Sequence, residues 1–385
     1  MTRLNIVRWL VEQALPTWGR SGADLAAGGF FEKIDLQGRA VEAPRRTRVV
    51  ARQIYVFATA ARRGWLPGAD GLVERGLEFL LVRQRQPNGT FAGSVRPDGT
   101  VVDDAFDLYE QAFALFALAS ARRDRPDREA LRGSAESLLE CLQLGWAHPF
   151  LGFEEGAPRT LPLRSNPHMH LLEAALEWIE VSEGRQRAVW ETLAADIANL
   201  CMARFVASGT GAVHENFDGD WRPAPGAPGG RVEPGHQFEW AWLLMRWARA
   251  AQSTQALAVA RRLLELGEAH GVDRVRGVAV NALAADLRLV DGGAKVWPQT
   301  ERIKAWQAAA VDGTPRQMSI APRKVGEALQ GLARFLLPSP PGLWQEEMNM
   351  DGSFTPTDCR ASSLYHIVCA VDTLQATSSS GRYAG

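Results

Sequence analysis

Residues 48–63 read RVVARQIYVFATAARR, and this stretch sets the pattern for the rest of the chain. Apolar side chains recur every three to four positions and basic residues flank the run, which is the period of an amphipathic α-helix. Moving outward, the same period returns in 70–86, 107–122, 128–144, 168–183, 187–205, 235–251, 255–270, 306–311 with its flanks, 322–335 and 361–376. Residues 1–15 (MTRLNIVRWLVEQAL) repeat it with charges interleaved, so they read as a structural helix and not as a signal peptide. About a dozen helices result. Strand-like alternation is confined to three connections, 30–41, 213–221 and 278–296, where Gly or Asp-Gly turns predict β-hairpins.

No linker divides these helices into blocks. The Pro/Gly-rich run 223–234 (PAPGAPGGRVEP) is the best candidate boundary, yet the helical pattern resumes at once, and a loop of that kind beside a site reads as a lid. The expectation is one domain, 1–385, an all-α helical toroid in which inner and outer helices alternate and the connections at one end build a cleft.

Composition narrows the function. With 385 residues, a net charge of −1, 46% hydrophobic and 23% charged residues, the chain is an ordinary globular sequence and not a disordered, collagen-like or coiled-coil one. The balanced charge argues against nucleic acid or an anionic membrane as the main partner. No stretch reaches the roughly 18 to 20 apolar residues of a membrane span. Cys141, Cys201, Cys359 and Cys369 are too few for a disulfide framework, so a reducing, cytoplasmic setting is expected, in which the Asn88 sequon has no role. Of the 43 basic residues only Lys33, Lys295, Lys304 and Lys324 are lysine, which reads first as a compositional bias and only second as phosphate recognition.

The phosphate-loop, dinucleotide, nucleophile-elbow, H-E-x-x-H and C-x-x-C signatures are missing from the sequence, so no nucleotide, flavin or nicotinamide cofactor and no serine-hydrolase chemistry are expected. What remains are polar residues set in apolar helices. His236 and Glu239 in GHQFEWAWLL open one helix with H-x-x-E spacing. The helix dipole and the carboxylate act on that imidazole in opposite directions, which would hold it near neutrality. His170 and Glu173 in NPHMHLLEA repeat the spacing, with Asn166 four residues before His170. Each pair fits either an acid/base site or a helix cap with a satisfied core histidine. A metal site from both pairs ranks lower, because helical di-metal sites use further bridging carboxylates. His366 lies in the apolar run ASSLYHIVC and Arg52 in VVARQIYVF, and a buried imidazole or guanidinium needs partners. Trp297, Gln299 and Glu301 in WPQTE put an aromatic face, an amide and a carboxylate in one turn-like segment, a mixture suited to a polyhydroxylated ligand. His148, His214 and His270 read as structural or exposed.

Together, Arg52 in ARQIY, Tyr109 in DLYEQAF, Asn166 and His170 in NPHMHLLEA, His236 and Glu239 in PGHQFEWAWLL, Glu301 in WPQTE and His366 in SSLYHIV resemble the motifs of the N-acylglucosamine 2-epimerase superfamily, nearest its mannose and sulfoquinovose isomerase branch. The resemblance runs from Gly28 almost to the C-terminus. It implies an (α/α)6 barrel and metal-free chemistry at C2 of a sugar. His236 and His366 are then the acid/base pair, His170 lies near the reacting carbons, and Arg52 holds substrate oxygens. The expected activity is an aldose–ketose isomerase of a monosaccharide such as mannose, acting through a cis-enediol after ring opening, with oligomerisation left open. The alternatives are a sugar 2-epimerase, an inverting glycoside hydrolase using Glu239 and Glu301, and a sugar-binding module.

Overall fold

The computed structural model describes residues 2–123, 125 and 127–380. Met1, Asp124, Pro126 and residues 381–385 lie outside the described residues, so the expected first helix is followed from Thr2 and the expected domain to 380.

In chain order the helices are α1 (Arg3–Trp9), α2 (Leu15–Thr17), α3 (Thr47–Arg62), α4 (Ala69–Glu78), α5 (Leu108–Arg122), α6 (Glu129–Gly145), α7 (Ser165–Val181), α8 (Gly184–Leu200), α9 (Pro234–Ala251), α10 (Thr254–His270), α11 (Val296–Asp312), α12 (Pro315–Leu336) and α13 (Ala361–Ser380). The odd-numbered helices from α3 to α13 form a closed inner ring in sequence order, with α13 returning to α3. The outer helices α4, α6, α8, α10 and α12 each back the inner helix before or after them, and α1 backs α13. This is an (α/α)6 barrel. The division follows from composition. Inner helices are buried almost all round, as in α7, where Ser165 and every residue from Pro167 to Ile179 are buried. Outer helices such as α6 bury one stripe only, Leu131, Ala135, Leu138, Leu139 and Leu142. One hydrophobic core runs from Ile6 to Leu374.

Several boundaries differ from the sequence reading, each for a local reason. The helix expected at 322–335 starts at Pro315, where Thr314 and Gln317 form a capping box that fixes the first turn, and Pro322 is carried inside it. The segment 297–301 is not a turn but the first turns of α11. The helices expected at 70–86 and 187–205 end in π-helical turns, Phe79–Gln84 and Cys201–Phe205. Two of the three expected hairpins form as read: Lys33–Ile34 pairs with Ala40–Val41, and Ala282–Leu283 with Leu289–Asp291. Asn216–Phe217 instead pairs with the distant Leu163–Arg164. The run 223–234 is tied down, by Ala224 N to Asn216 O (3.0 Å) and by Val232 pairing with Leu283.

Counting each inner helix from its first residue reveals a layered interior. The sixth residues are Arg52, Phe113, His170, Glu239, Glu301 and His366, one per helix. They meet around the axis: the Arg52 guanidinium lies 3.9 Å from the Phe113 ring centroid, and the Phe113 and His170 rings are 4.4 Å apart. Donor-type atoms of Glu239, Glu301 and His366 lie within 4.8 Å of one another. One turn further in, the ninth residues are Tyr55, Phe116, Glu173, Trp242, Lys304 and Cys369. The inward face of a helix advances by three or four residues per turn, so six similar helices at similar heights must produce such layers.

The fourth residues have a different task. Gln111, Gln237 and Gln299 each bond both backbone groups of one residue in the connection before their helix, Phe91, Val213 and Ala279, at 2.7 to 3.0 Å. His168 in α7 is the variant of this clamp, accepting from Phe153 N (3.0 Å) and reaching Arg164 O (3.2 Å). Gln299 is thus a structural clamp and not the sugar contact expected of it.

Candidate active site

The N-terminal ends of the inner helices surround a cavity of about 300 Å³. Of the residues singled out in the sequence, Arg52, Tyr109, Asn166, His170, His236, Glu239, Trp297 and His366 line it. Glu173 and Glu301 stand behind histidines, and their expected substrate contacts are replaced by bonds to protein. Gln299 lies outside the lining.

Each of the three site histidines is fixed through Nδ1 by a glutamate. His170 meets Glu173 at 3.0 Å, His366 meets Glu301 at 2.8 Å, and His236 meets Glu215 at 2.8 Å. A carboxylate on Nδ1 holds the ring's orientation and leaves Nε2 as the reactive nitrogen. The expected His236–Glu239 partnership at i,i+3 does not form; Glu215, 21 residues earlier and just before the strand Asn216–Phe217, takes the bond. Glu215 carries no motif, and its role comes from the long-range pairing of 163–164 with 216–217.

The three imidazoles differ in charge. Burial pushes His170 down to about 4 despite the opposing Glu173. His366 is driven well below the usual 6.5 by burial, then by the Arg52 and Lys304 charges. Burial also opposes the charge on His236, but Glu215, Glu233 and Glu239 outweigh it and raise it to about 10. His236 is therefore an imidazolium at neutral pH, not the near-neutral base its helix position implied, and His366 is neutral. Glu239 is pushed well above the carboxylate range by burial and by the Glu301 charge.

Trp297 lies between the two, its ring 5.1 Å from that of His236 and 5.6 Å from that of His366. This packing requires Gly235, since a Cβ there would come within 2.4 Å of the Trp297 ring. Arg52 donates to Tyr109 Oη (2.7 Å). Glu173 accepts from Tyr365 Oη (2.6 Å) with its second oxygen. Burial works to raise Glu173, but His170, Lys304 and Tyr365 hold it down to about 2. Three buried polar atoms of lining residues, Arg52 Nε, Asn166 Oδ1 and Glu239 Oε1, have no hydrogen-bond partner among the described residues. Leaving such atoms unpaired costs about 1–3 kcal/mol each, which a ligand rich in hydroxyls offsets by bonding them.

His170, Glu173 and Glu239, and likewise Glu239, Glu301 and His366, bring metal-ligand types within 4.8 Å. Two of the three carboxylates are already committed, however: Glu173 to His170 and Tyr365, and Glu301 to His366 and, as an ion pair at 2.6 Å, to the Lys304 ammonium. The cluster is built around a lysine cation. Elsewhere His148, read as structural or exposed, is buried, with Nε2 3.0 Å from Gly219 O and Nδ1 accepting from Trp221 Nε1. The four cysteines are free, and no helix among the described residues is long and apolar enough to cross a membrane.

The fold is an (α/α)6 barrel whose cavity holds two histidines in different charge states, and comparison with known proteins gives its family. Residues 29–370 match the N-acylglucosamine 2-epimerase (GlcNAc 2-epimerase) family, and the chain belongs to that family of sugar epimerases and isomerases. It is 45% identical over 374 residues to a mannose-6-phosphate isomerase of Rhizobium meliloti, covering 96% of both chains. It is 32% identical over 244 residues to a D-mannose isomerase of Thermobifida fusca, covering 56% of this chain and 58% of that one. A crystal structure of a D-mannose isomerase superposes with a TM-score of 0.86 at 19% identity, over 97% of this chain and 98% of that one, a likeness of fold.

Proposed function

We propose that the enzyme interconverts mannose, or a close analogue such as its 6-phosphate, with the corresponding ketose through a cis-enediol, without a metal. The observation that carries this reading is the His236/His366 pair: equal 2.8 Å bonds to glutamate, one ring charged and the other neutral, and one tryptophan face between them. The pyranose rests its C–H face on Trp297 and opens. Neutral His366 takes the C2 proton, the C–H electrons form the C1=C2 bond, and the His236 imidazolium protonates O1. The now neutral His236 removes the O2 proton, C2=O forms, and His366 returns its proton to C1. Both histidines end as they began.

Arg52 and Glu239 supply donors to the oxygens on which charge develops. Six helix N-termini face the same cavity, and their partial positive charge favours an enediolate. The names of the relatives, mannose-6-phosphate isomerase and D-mannose isomerase, support the same C1–C2 conversion. A hydrolase is disfavoured, because inverting carboxylates stand about 6.5–9.5 Å apart, whereas oxygens of Glu239 and Glu301 lie within 4.8 Å and Glu301 is bonded to protein at both. Lys295 and Arg360, far apart in sequence, line the cavity with Ser362 among the carboxylates of Glu233, Glu346 and Glu347, and are the cations a 6-phosphate would meet.

Chromatography of products from mannose, mannose 6-phosphate, glucose and N-acetylglucosamine tests the reading. Ketose from mannose or its phosphate is expected. Exclusive formation of the C2 epimer would replace it by a 2-epimerase, with His236 returning the proton to the other face of C2.

A further inference from the structure

Two histidines with the same glutamate bond should have the same charge, and here they do not. The difference lies behind the glutamates. Glu215 accepts from the Ser165 hydroxyl (3.3 Å), the Glu233 amide (3.2 Å) and His236, and among the described residues no lysine or arginine lies within ion-pair distance of it. Arg231, the nearby guanidinium, is engaged by Glu233 at 2.8 Å. Glu301 divides its oxygens between His366 (2.8 Å) and Lys304 (2.6 Å), one turn deeper on the same helix. Lys304 is fully buried and sits 3.9 Å from the Trp242 ring centroid, with Glu173, Glu239 and Cys369 as its further titratable neighbours. It is absent from the cavity lining and so does not touch substrate. The charged and titratable groups around His366 are Glu301, Glu239, Arg52, Lys304, Glu173 and His236.

We propose that Lys304 is the positioning residue that makes the two dyads unequal: it supplies the positive charge that Glu301 requires, so His366 rests neutral and able to accept a proton, while His236 supplies the charge for Glu215 itself. The balance of forces is consistent. Burial raises Glu301, and Lys304 is the largest influence opposing that rise. Without the ammonium, the Glu301–His366 dyad must take up a proton from solvent, and His366 ceases to be a base near neutrality. One lysine in the ninth-residue layer thus decides which histidine abstracts and which donates. Arginine, with its fork of donors, would keep the charge with altered geometry, whereas methionine removes it at similar volume.

The inference rests on the isomerase reading for its kinetic consequence but not for its physical one, so two readouts separate them. In Lys304→Met, the acid limb of the kcat/KM profile should move up past neutrality, lowering the rate at pH 7 by about tenfold for each pH unit moved and recovering as pH rises. Lys304→Arg should keep the limb in place. In ¹⁵N-histidine NMR of the unmodified enzyme at pH 7, which needs no substrate and no variant, His366 should be neutral with the proton on Nδ1, and His236 doubly protonated. Lys304→Met should convert His366 towards the His236 signature. If the two histidines share one protonation state in the unmodified enzyme, or if Lys304→Met folds and lowers the rate equally at every pH, the proposal is overturned. Correct NMR signatures in a protein that turns over no sugar would leave Lys304's role standing and overturn the isomerase reading.

Discussion

The two ends of the barrel use the same six helices under opposite rules. At the N-terminal end, the second and sixth residues leave Arg52 Nε, Asn166 Oδ1 and Glu239 Oε1 without partners. At the C-terminal end, a cavity of about 630 Å³ is lined by the thirteenth residues, Thr59, Ser120, Glu177, Arg246, Ala308 and Thr373. There the arginines meet carboxylates: Arg246 with Glu177 (2.9 Å) and Glu180 (2.6 Å), Arg123 with the same two, Arg63 with Asp372 (2.6 Å) and Arg249 with Asp312 (2.5 Å). Arginine also suits the negative ends of the helix dipoles. One end closes its charges into ion pairs and holds the ring together, and the other keeps its polar atoms open for a ligand. The difference locates the chemistry better than size does, since the far cavity is the larger of the two.

Substitutions at the two ends should therefore separate activity from stability. The largest effect on activity is expected for His366→Ala or His236→Ala: kcat/KM falls by about 10³-fold, while the protein stays folded with a loss of about 1–3 kcal/mol from the glutamate left without its histidine. Steady-state kinetics and thermal melts measure both, and a fully active His366→Ala would remove the distinction. Next is pH. The reaction needs neutral His366 and charged His236, so kcat/KM should hold from well below pH 6.5 up to about 10, where loss of the His236 proton ends it. Stability has its own dependence. Buried His168, held down to about 3, and His170, at about 4, stay neutral in the folded state while the unfolded chain protonates below about 6.5, so the melting temperature should fall as pH drops from 6.5 towards 4.

Smaller effects belong to the far end and to the clamps. Arg246→Met removes one of the two guanidiniums that pair with buried Glu177 and half-exposed Glu180, leaving Arg123, and should cost about 1–3 kcal/mol in chemical denaturation with kcat/KM within about twofold. Gln299→Ala unpairs the Ala279 backbone and should cost about 1–3 kcal/mol. KM should not change, whereas a sugar-binding Gln299 would raise it.

What could be read from the sequence was what is local. Helical period fixed the inner and outer helices, and the histidines of NPHMHLLEA, PGHQFEWAWLL and SSLYHIV stood out because imidazoles in apolar runs need partners. The partners themselves were hidden by distance. Glu215 reaches His236 through a strand pairing, and Tyr365 reaches Glu173 across 192 residues. Gln299 was misread because its neighbours Trp297 and Glu301 belong to the site, while its amide faces a connection 20 residues earlier. Lys304 did leave a signal: it is one of four lysines among 39 arginines, three residues after Glu301. The convergence of sixth and ninth residues becomes visible only when the helix starts are known.

The central claim, proton transfer between C2 and C1 through an enediol, is tested most directly by converting mannose to ketose in deuterated water and reading C1 by NMR and mass spectrometry. Solvent deuterium at a single C1 position, lost in His366→Ala, is the predicted result. Ketose formed by His366→Ala at the unmodified rate, with deuterium from [2-²H]mannose carried wholly to C1, would contradict it.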